Sequence, residues 1–388
     1  MRPSQLPGRS LRLGSFPFLA KLRYNRLDRK QWVSYRYSVP PAGRWGNPWR
    51  SSGRRLTLRA LITGIGGFAG SHLAEYLLEH TDWDIVGLDL VAGRAARYSI
   101  PRSGRGQWQA QERITLHIGD VLTSLPALKE LFATASPTHV FHLAAQAFVP
   151  ASWEDPWNTL ANNIRGQLNV LLSAIAMGTF PRVLVVGSAD EYGIVAPEEL
   201  PIRESNPLRP SSPYAVSKVA QDMLGYQYYA SHKLPVIRVR PFNHIGPGQS
   251  PAFVTSDFAK QIAEAEVGLH EPVLRVGDLT ARRDFSDVHD IVRGYHLALS
   301  EGEPGEVYNL GGERSYSIRE MLDRLMALST TPLRLEVDAT RLRPVDIPEI
   351  VCDCSKFRRR TGWQAKIPLE QSLSDILAYW RKQVQPSI

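Results

Sequence analysis

Cysteine is almost missing from this 388-residue chain; Cys352 and Cys354 are the only two. With one residue between them they suit neither an ordinary structural bridge nor a zinc knuckle, so no oxidising compartment is called for. No carboxylate and histidine spacing points to a metal either. Apolar residues make up 43% of the chain, as in globular proteins. No uninterrupted apolar run approaches the roughly 20 residues that cross a bilayer, so no membrane association is expected. Acids are scarce at the start: residues 1–59 hold 14 Lys/Arg and a single acid, Asp28, a net charge of +13. The rest carries 32 bases and 37 acids, a net −5, so the overall +8 is a property of the leader and not of the body. This split argues against a nucleic-acid-binding body.

The basic leader, residues 1–55, is expected to be disordered. Its apolar stretch Phe16-Pro-Phe-Leu-Ala20 is shorter than the roughly 7–15 residues of a secretory h-region. Its Arg-rich, acid-poor composition resembles a transit peptide, but prolines at 3, 7, 17, 40, 41 and 48 oppose one long amphipathic helix. A start assigned too early is a further alternative, the fold being expected to begin near Leu56 with no methionine between Met1 and Met177; an RNA-binding arm is the least favoured.

Beyond Arg55, strand-like and helix-like segments alternate. Strands are expected at Leu58–Thr63, Asp84–Leu90, Ile114–Ile118, His139–Ala144, Arg182–Gly187 and Val236–Arg240, with helices at Phe68–Glu79 and near 125–134, 158–177 and 214–231. Short apolar strands alternating with helices imply a Rossmann-like, doubly wound parallel sheet over residues 56–241. After Pro241 the pattern changes. A loop at Gly246–Pro251 leads to a helix at Phe253–Glu266, a short strand at Val307–Leu310 and a capping box, Ser317-Ile-Arg-Glu320, opening a helix to about Leu328. A strand at Leu333–Val337 and a helix at Leu369–Val384 complete a smaller α/β lobe, residues 242–388, expected to bind substrate and possible to interleave with the first.

Three motifs carry chemistry. Thr63-Gly64-Ile-Gly66-Gly67-Phe68-Ala69-Gly70 sits between a strand and a helix, where glycines let a pyrophosphate approach the helix N-terminus. Asp89, 25 positions past Gly64, ends the second strand, where an acid binds a ribose 2′-hydroxyl; Arg94 and Arg97 close by suit a 2′-phosphate instead. NADH or NADPH is therefore the expected cofactor. Asp120 and Val121 end the third strand near the adenine, and Leu143, Ala144 and Ala145 end the fourth, where small residues let a cofactor pass. The third motif is Tyr214-Ala-Val-Ser-Lys218, with Ser188 lying 26 positions upstream at a strand end. Tyrosine and lysine at i and i+4 share a helix face. A nearby ammonium is expected to lower the phenol's pKa so that Tyr214 exchanges a proton with a carbonyl oxygen held by Ser188.

With His142-Leu-Ala-Ala-Gln146, Asn162, Asn163 and Arg240-Pro-Phe-Asn243, these residues resemble the extended short-chain dehydrogenase/reductase family over about residues 58–385. The resemblance implies action on a nucleotide sugar and a homodimer formed through helices near 158–177 and 214–231, working in the cytoplasm. Arg240-Pro-Phe-Asn-His-Ile-Gly-Pro-Gly-Gln249 is similar to members that reduce the 4-keto group of a GDP-linked 6-deoxy sugar to GDP-D-rhamnose. There Tyr214 gives the proton, Ser188 orients the oxygen and Lys218 holds the ribose. The resemblance further implies that Gln146, Asp190, Asn243, Arg283 and Arg343 contact substrate, while His142 and His244 pack and form hydrogen bonds. The family's 4,6-dehydratases place a carboxylate base, in some an Asp–Glu pair, just after the Ser or Thr; here Ala189 and Asp190 stand there. Glu191 follows and is expected to face away if the strand register continues. A dehydratase, an epimerase and a non-catalytic redox-sensing module stay open as alternatives.

Overall fold

Burial on both sides of one strand sets the architecture. In β1 (Arg59–Thr63), Ala60 and Ile62 pack on one face and Leu61 on the other, so the sheet must be covered twice. The computed structural model describes residues 57–90, 113–122, 124–341 and 347–384. In chain order the further strands are β2 (Asp84–Asp89), β3 (Ile114–Ile118), β4 (His139–His142), β5 (Arg182–Val186), β6 (Val236–Pro241), β7 (Asn243–Ile245), β8 (Val273–Val276), β9 (Arg282–Asp287), β10 (Val307–Leu310), β11 (Ser315–Ser317) and β12 (Arg334–Val337). The helices are α1 (Phe68–His80), α2 (Leu125–Ala135), α3 (Val149–Glu154), α4 (Pro156–Leu160), α5 (Gly166–Ala176), α6 (Pro213–His232), α7 (Val254–Glu266), α8 (Val288–Glu301), α9 (Ile318–Ala327), α10 (Ser355–Thr361) and α11 (Leu369–Val384).

The main sheet has the order β10-β6-β5-β4-β1-β2-β3 and is parallel throughout. The helices α1, α8 and α10 cover one face, and α2, α5 and α6 the other. This is the doubly wound sheet expected from the sequence, and its strand order reverses between β1 and β4. The smaller lobe has its own core, built from α7, α9 and α11 against β8 and β9. β10 adds to the edge of the main sheet, Val307 opposite Arg238 and Leu310 opposite Pro241, so the chain returns from the C-terminal half to finish the first sheet.

Helix starts follow their caps. Ser212 accepts a hydrogen bond from Ala215 N–H with Pro213 in the first turn of α6, and Ser317 and Glu320 form the expected capping box of α9. The helix expected near 158–177 is found as one continuous helical run from Pro156 to Ala176. Asp155 caps its start at Pro156, and a π-turn at Ala161–Arg165 precedes α5.

Candidate active site

The glycine turn lies at the carboxyl end of β1, at the point where the strand order reverses. Gly64 has φ +72°, and a Cβ there would lie 2.9 Å from the backbone of Ala144, just past β4. A Cβ on Gly70 would lie 2.1 Å from the Gly64 carbonyl oxygen, so the helix packs on the turn with no room for a side chain. Gly67 opens α1 with no side-chain cap, which leaves the first N–H groups of the helix to an anion from outside. These features fit a dinucleotide pyrophosphate. Asp89 braces the turn: its Oδ2 accepts Gly66 N–H at 2.7 Å and its Oδ1 accepts Leu90 N–H at 2.8 Å. Phe68 stacks on His244 with ring centroids 6.0 Å apart. Asp120 accepts Leu122 N–H at 2.8 Å, and the Val121 carbonyl accepts from Asn169 at 2.7 Å. Arg94, Arg97 and Arg343 lie outside the described residues.

The end of β4 is held by Asn163. Its Oδ1 accepts Gln146 N–H at 2.8 Å, and its Nδ2 donates to the Gln146 carbonyl at 3.0 Å and to Ser217 Oγ at 2.8 Å. One buried amide thus joins the Leu143–Gln146 segment to α6. The π-turn presents it there, and such turns gather at functional sites. The sequence offered Asn162 and Asn163 only as part of a motif and did not supply this bracing role. Gln146 donates to the Phe148 carbonyl at 2.8 Å.

Ser188, Tyr214 and Lys218 meet where β5 ends. Lys218 Nζ donates to the Val186 carbonyl at 2.9 Å and lies 5.9 Å from the centre of the Tyr214 ring. The Ser188 side chain stands close enough to the Tyr214 hydroxyl to favour its ionised form. Both Tyr214 and Lys218 are buried. Burial brings the Lys218 ammonium down to about 8. The Tyr214 phenol moves opposite to the sequence expectation. Burial and then the Asp190 charge raise its pKa, against the opposing influence of the Ser188 side chain. The phenol is thus kept in its acid form at neutral pH, which is the form that gives a proton.

Glu191 lies outside any strand, so the register argument does not apply to it. Ala189–Tyr192 is a 3₁₀ turn, and Glu191 is fully buried with Oε1 accepting Ser188 N–H at 2.9 Å. Among the remaining candidates, Asn243 is exposed at the start of β7. Arg283 is buried, and its Nη1 donates to the carbonyls of Arg282 at 2.8 Å and Ile347 at 2.6 Å. His142 Nδ1 meets Thr63 Oγ1 at 2.7 Å, and burial takes the imidazole down to about 3, so it is neutral. His244 Nδ1 lies 3.1 Å from the Phe242 carbonyl oxygen. Among the described residues no cluster of side chains suits a metal ion.

A glycine turn at the switch point of a parallel sheet, with serine, tyrosine and lysine converging two strands away, defines an extended short-chain dehydrogenase/reductase. The comparisons with known proteins narrow this. The profile described as GDP-mannose 4,6 dehydratase matches residues 61–376, and the chain belongs to that family. It is 35% identical to the GDP-6-deoxy-D-mannose reductase of Pseudomonas aeruginosa, over 85% of this chain and 99% of that one. It is 27% identical to a GDP-mannose 4,6-dehydratase of Vibrio cholerae, over 84% and 94% of the two chains. The solved structure of RMD from Pseudomonas aeruginosa complexed with NADPH superposes with a TM-score of 0.73 at 35% identity, covering 84% of this chain and all of that one.

Proposed function

We propose that this protein reduces the 4-keto group of a GDP-4-keto-6-deoxy sugar with NAD(P)H, giving GDP-D-rhamnose, as a cytoplasmic homodimer. The observation that carries the reaction type is the convergence of Ser188, Tyr214 and Lys218 at the end of β5, with Lys218 5.9 Å from the Tyr214 ring centre and bonded to the Val186 carbonyl. The sugar and the guanine base rest on the similarity to the Pseudomonas reductase. NAD(P)H, when bound against the glycine turn, supplies the hydride that C4 receives. Ser188 holds O4 by a hydrogen bond, and Tyr214 gives its proton to O4 as the carbonyl becomes an alcohol. The buried Lys218 cation beside the ring stabilises the phenolate left behind. Asn163 keeps the β4 end and α6 in register, so the groups that hold cofactor and substrate do not drift apart.

The dehydratase is the rival, because relatives of that name also match over most of the chain. Its base has one carboxylate facing the site, Asp190, whose charge acts on Tyr214. The Glu191 carboxyl turns instead onto the Ser188 backbone. Freshly made GDP-4-keto-6-deoxymannose with NADH or NADPH separates the two. Oxidation of the nucleotide with formation of GDP-rhamnose is expected. Conversion of GDP-mannose to the 4-keto sugar with no added reductant would make it the dehydratase.

Exposed apolar side chains on α4 and α6 support pairing through these helices. Trp157 is 76% exposed, and Val216, Met223 and Tyr226 are exposed on α6. Apolar side chains gathered on one surface suit a second copy. Among the described residues no helix is long and apolar enough to cross a membrane.

A further inference from the structure

Beneath Ser188 and Tyr214 lies a buried polar cluster that the reaction as written does not use. Glu191 enters it from the 3₁₀ turn. Gly187 makes room for it, since a Cβ there would lie 2.1 Å from Glu191 Oε1. β6 faces the carboxyl with Arg240 and, behind it, Arg238. α6 faces it with Asp222, Lys218 and Tyr214, and its own turn adds Asp190 and Tyr192. Glu204 approaches through its backbone carbonyl, 3.5 Å from Arg240 Nη1.

The donors in this cluster can be assigned one by one. Asp222 takes Arg238 Nη1 at 2.9 Å, Arg240 Nε at 3.0 Å and Arg240 Nη2. Arg240 Nη1 donates to Tyr192 Oη at 3.0 Å, and Tyr192 donates to Asn309 Oδ1 at 2.6 Å. Glu191 Oε1 takes Ser188 N–H. Glu191 Oε2 lies 3.0 Å from Arg240 Nε, but the single hydrogen of that nitrogen serves Asp222, and Oε2 accepts no hydrogen bond. A buried carboxylate oxygen without a donor is costly. A carboxylic acid oxygen in the same place is itself a donor, and Asp222, whose Oδ2 shares Arg240 Nε with it at 3.0 Å each, is the acceptor beside it.

We propose that Glu191 is held as the neutral acid, its Oε2 proton donated to Asp222, and that it acts as a positioning residue fixing Ser188 without setting a negative charge under Tyr214 and Lys218. Burial, with the Asp222 charge adding to it and Arg240 opposing, brings the Glu191 pKa up to about 8, in agreement with this arrangement. A neutral carboxyl in this position is a poor base, which separates Glu191 from any dehydration step. The positioning role rests on the catalytic reading of Ser188 and Tyr214; the protonation state does not.

Two measurements test it. The first is the thermal midpoint of wild type and Glu191→Gln from pH 5 to pH 8, which needs no substrate. The native acid keeps its proton to about 8, whereas a free glutamate releases it near 4.5. The native state then binds more protons than the unfolded state across that window, so wild-type stability falls with rising pH relative to the glutamine variant. The difference, variant minus wild type, is expected to rise steadily from pH 5 to pH 8. A difference that is flat or falls means an ionised Glu191 and overturns the proposal, whatever the enzyme's substrate. The second is turnover. Glutamine keeps the bond to Ser188 N–H and donates to Asp222, while alanine does neither. Glu191→Ala is expected to lower kcat about tenfold with KM within about twofold, and Glu191→Gln to recover to within about threefold of wild type. A glutamine variant as impaired as alanine would overturn it. If the alanine variant does not fold, the comparison of Glu191→Gln with wild type in both measurements decides alone.

Discussion

Replacing Tyr214 by Phe removes one oxygen and leaves almost everything else. The ring is 8% exposed and sits in a buried pocket, and phenylalanine fills the same volume. Lys218 keeps a ring to lie over at 5.9 Å and keeps its bond to the Val186 carbonyl. The hydroxyl lies beside the Ser188 side chain, and loss of a polar contact of this kind costs about 1 kcal/mol of stability. The catalytic loss is much larger. A positioned general acid is worth about 10²–10⁴-fold, or roughly 3–5 kcal/mol of barrier. The variant is therefore expected to bind NADPH within about twofold of wild type by calorimetry and to lose at least about a hundredfold in kcat for cofactor oxidation. Turnover within about threefold of wild type would refute the assignment of the proton to Tyr214. Weakened nucleotide binding with no turnover in either protein would favour the non-catalytic redox-sensing reading.

Gly70→Ala drives a Cβ to 2.1 Å from the Gly64 carbonyl oxygen, a backbone atom that cannot swing aside; a stability loss of about 1–3 kcal/mol in denaturant unfolding is expected, with NADPH affinity down at least about tenfold. The pH profile of kcat/KM for reduction is expected to be level near neutrality and to fall above about 8, because burial has brought Lys218 down to that value and its deprotonation removes the cation beside Tyr214; Lys218→Arg keeps its charge and should lose this limb, and an unchanged limb would assign it elsewhere. Trp157→Glu combined with Met223→Glu puts charge on the exposed face of α4 and α6 and is expected to give a monomer by light scattering; a monomeric wild type would remove the proposed pairing.

The fold was legible where a local signal specifies it. Strands β1, β2, β4, β5 and β6 are largely buried on both faces while β3 is a more exposed edge strand, and the expected ends of all six fall within one or two residues of those observed. The glycine turn and the tyrosine–lysine pair could be read from spacing, since a helix turn fixes where i and i+4 point. The start of the helix expected near 158–177 left a sign in Asp155-Pro156, a cap followed by a first-turn proline, two residues before the expected start. β7, β8, β9 and β11 were not foreseen. They are three to six residues long, and β9, Arg282-Arg-Asp-Phe-Ser-Asp287, is mostly polar. Such a segment becomes a strand because its neighbours pair with it and cover it, which no window of sequence records.

Glu191 shows why electrostatics was the least legible part. Seen from the sequence, it is one of two acids after a strand, and alternation alone would turn it outward. The strand in fact stops at Val186, Ser188 caps the next turn, and the capping box reverses the direction of Glu191. What then decides its charge is Asp222, 31 positions later on α6, and Arg240, 49 positions later on β6. Two carboxyls and two arginines in one buried cluster cannot be counted before the fold assembles them. The same holds for Tyr214, where the sequence shows the lysine that would lower its pKa but not the burial and the Asp190 charge that raise it. For a reductase the outcome favours catalysis, because both the buried phenol and the Glu191 acid stay protonated at the pH where a carbonyl oxygen must receive a proton.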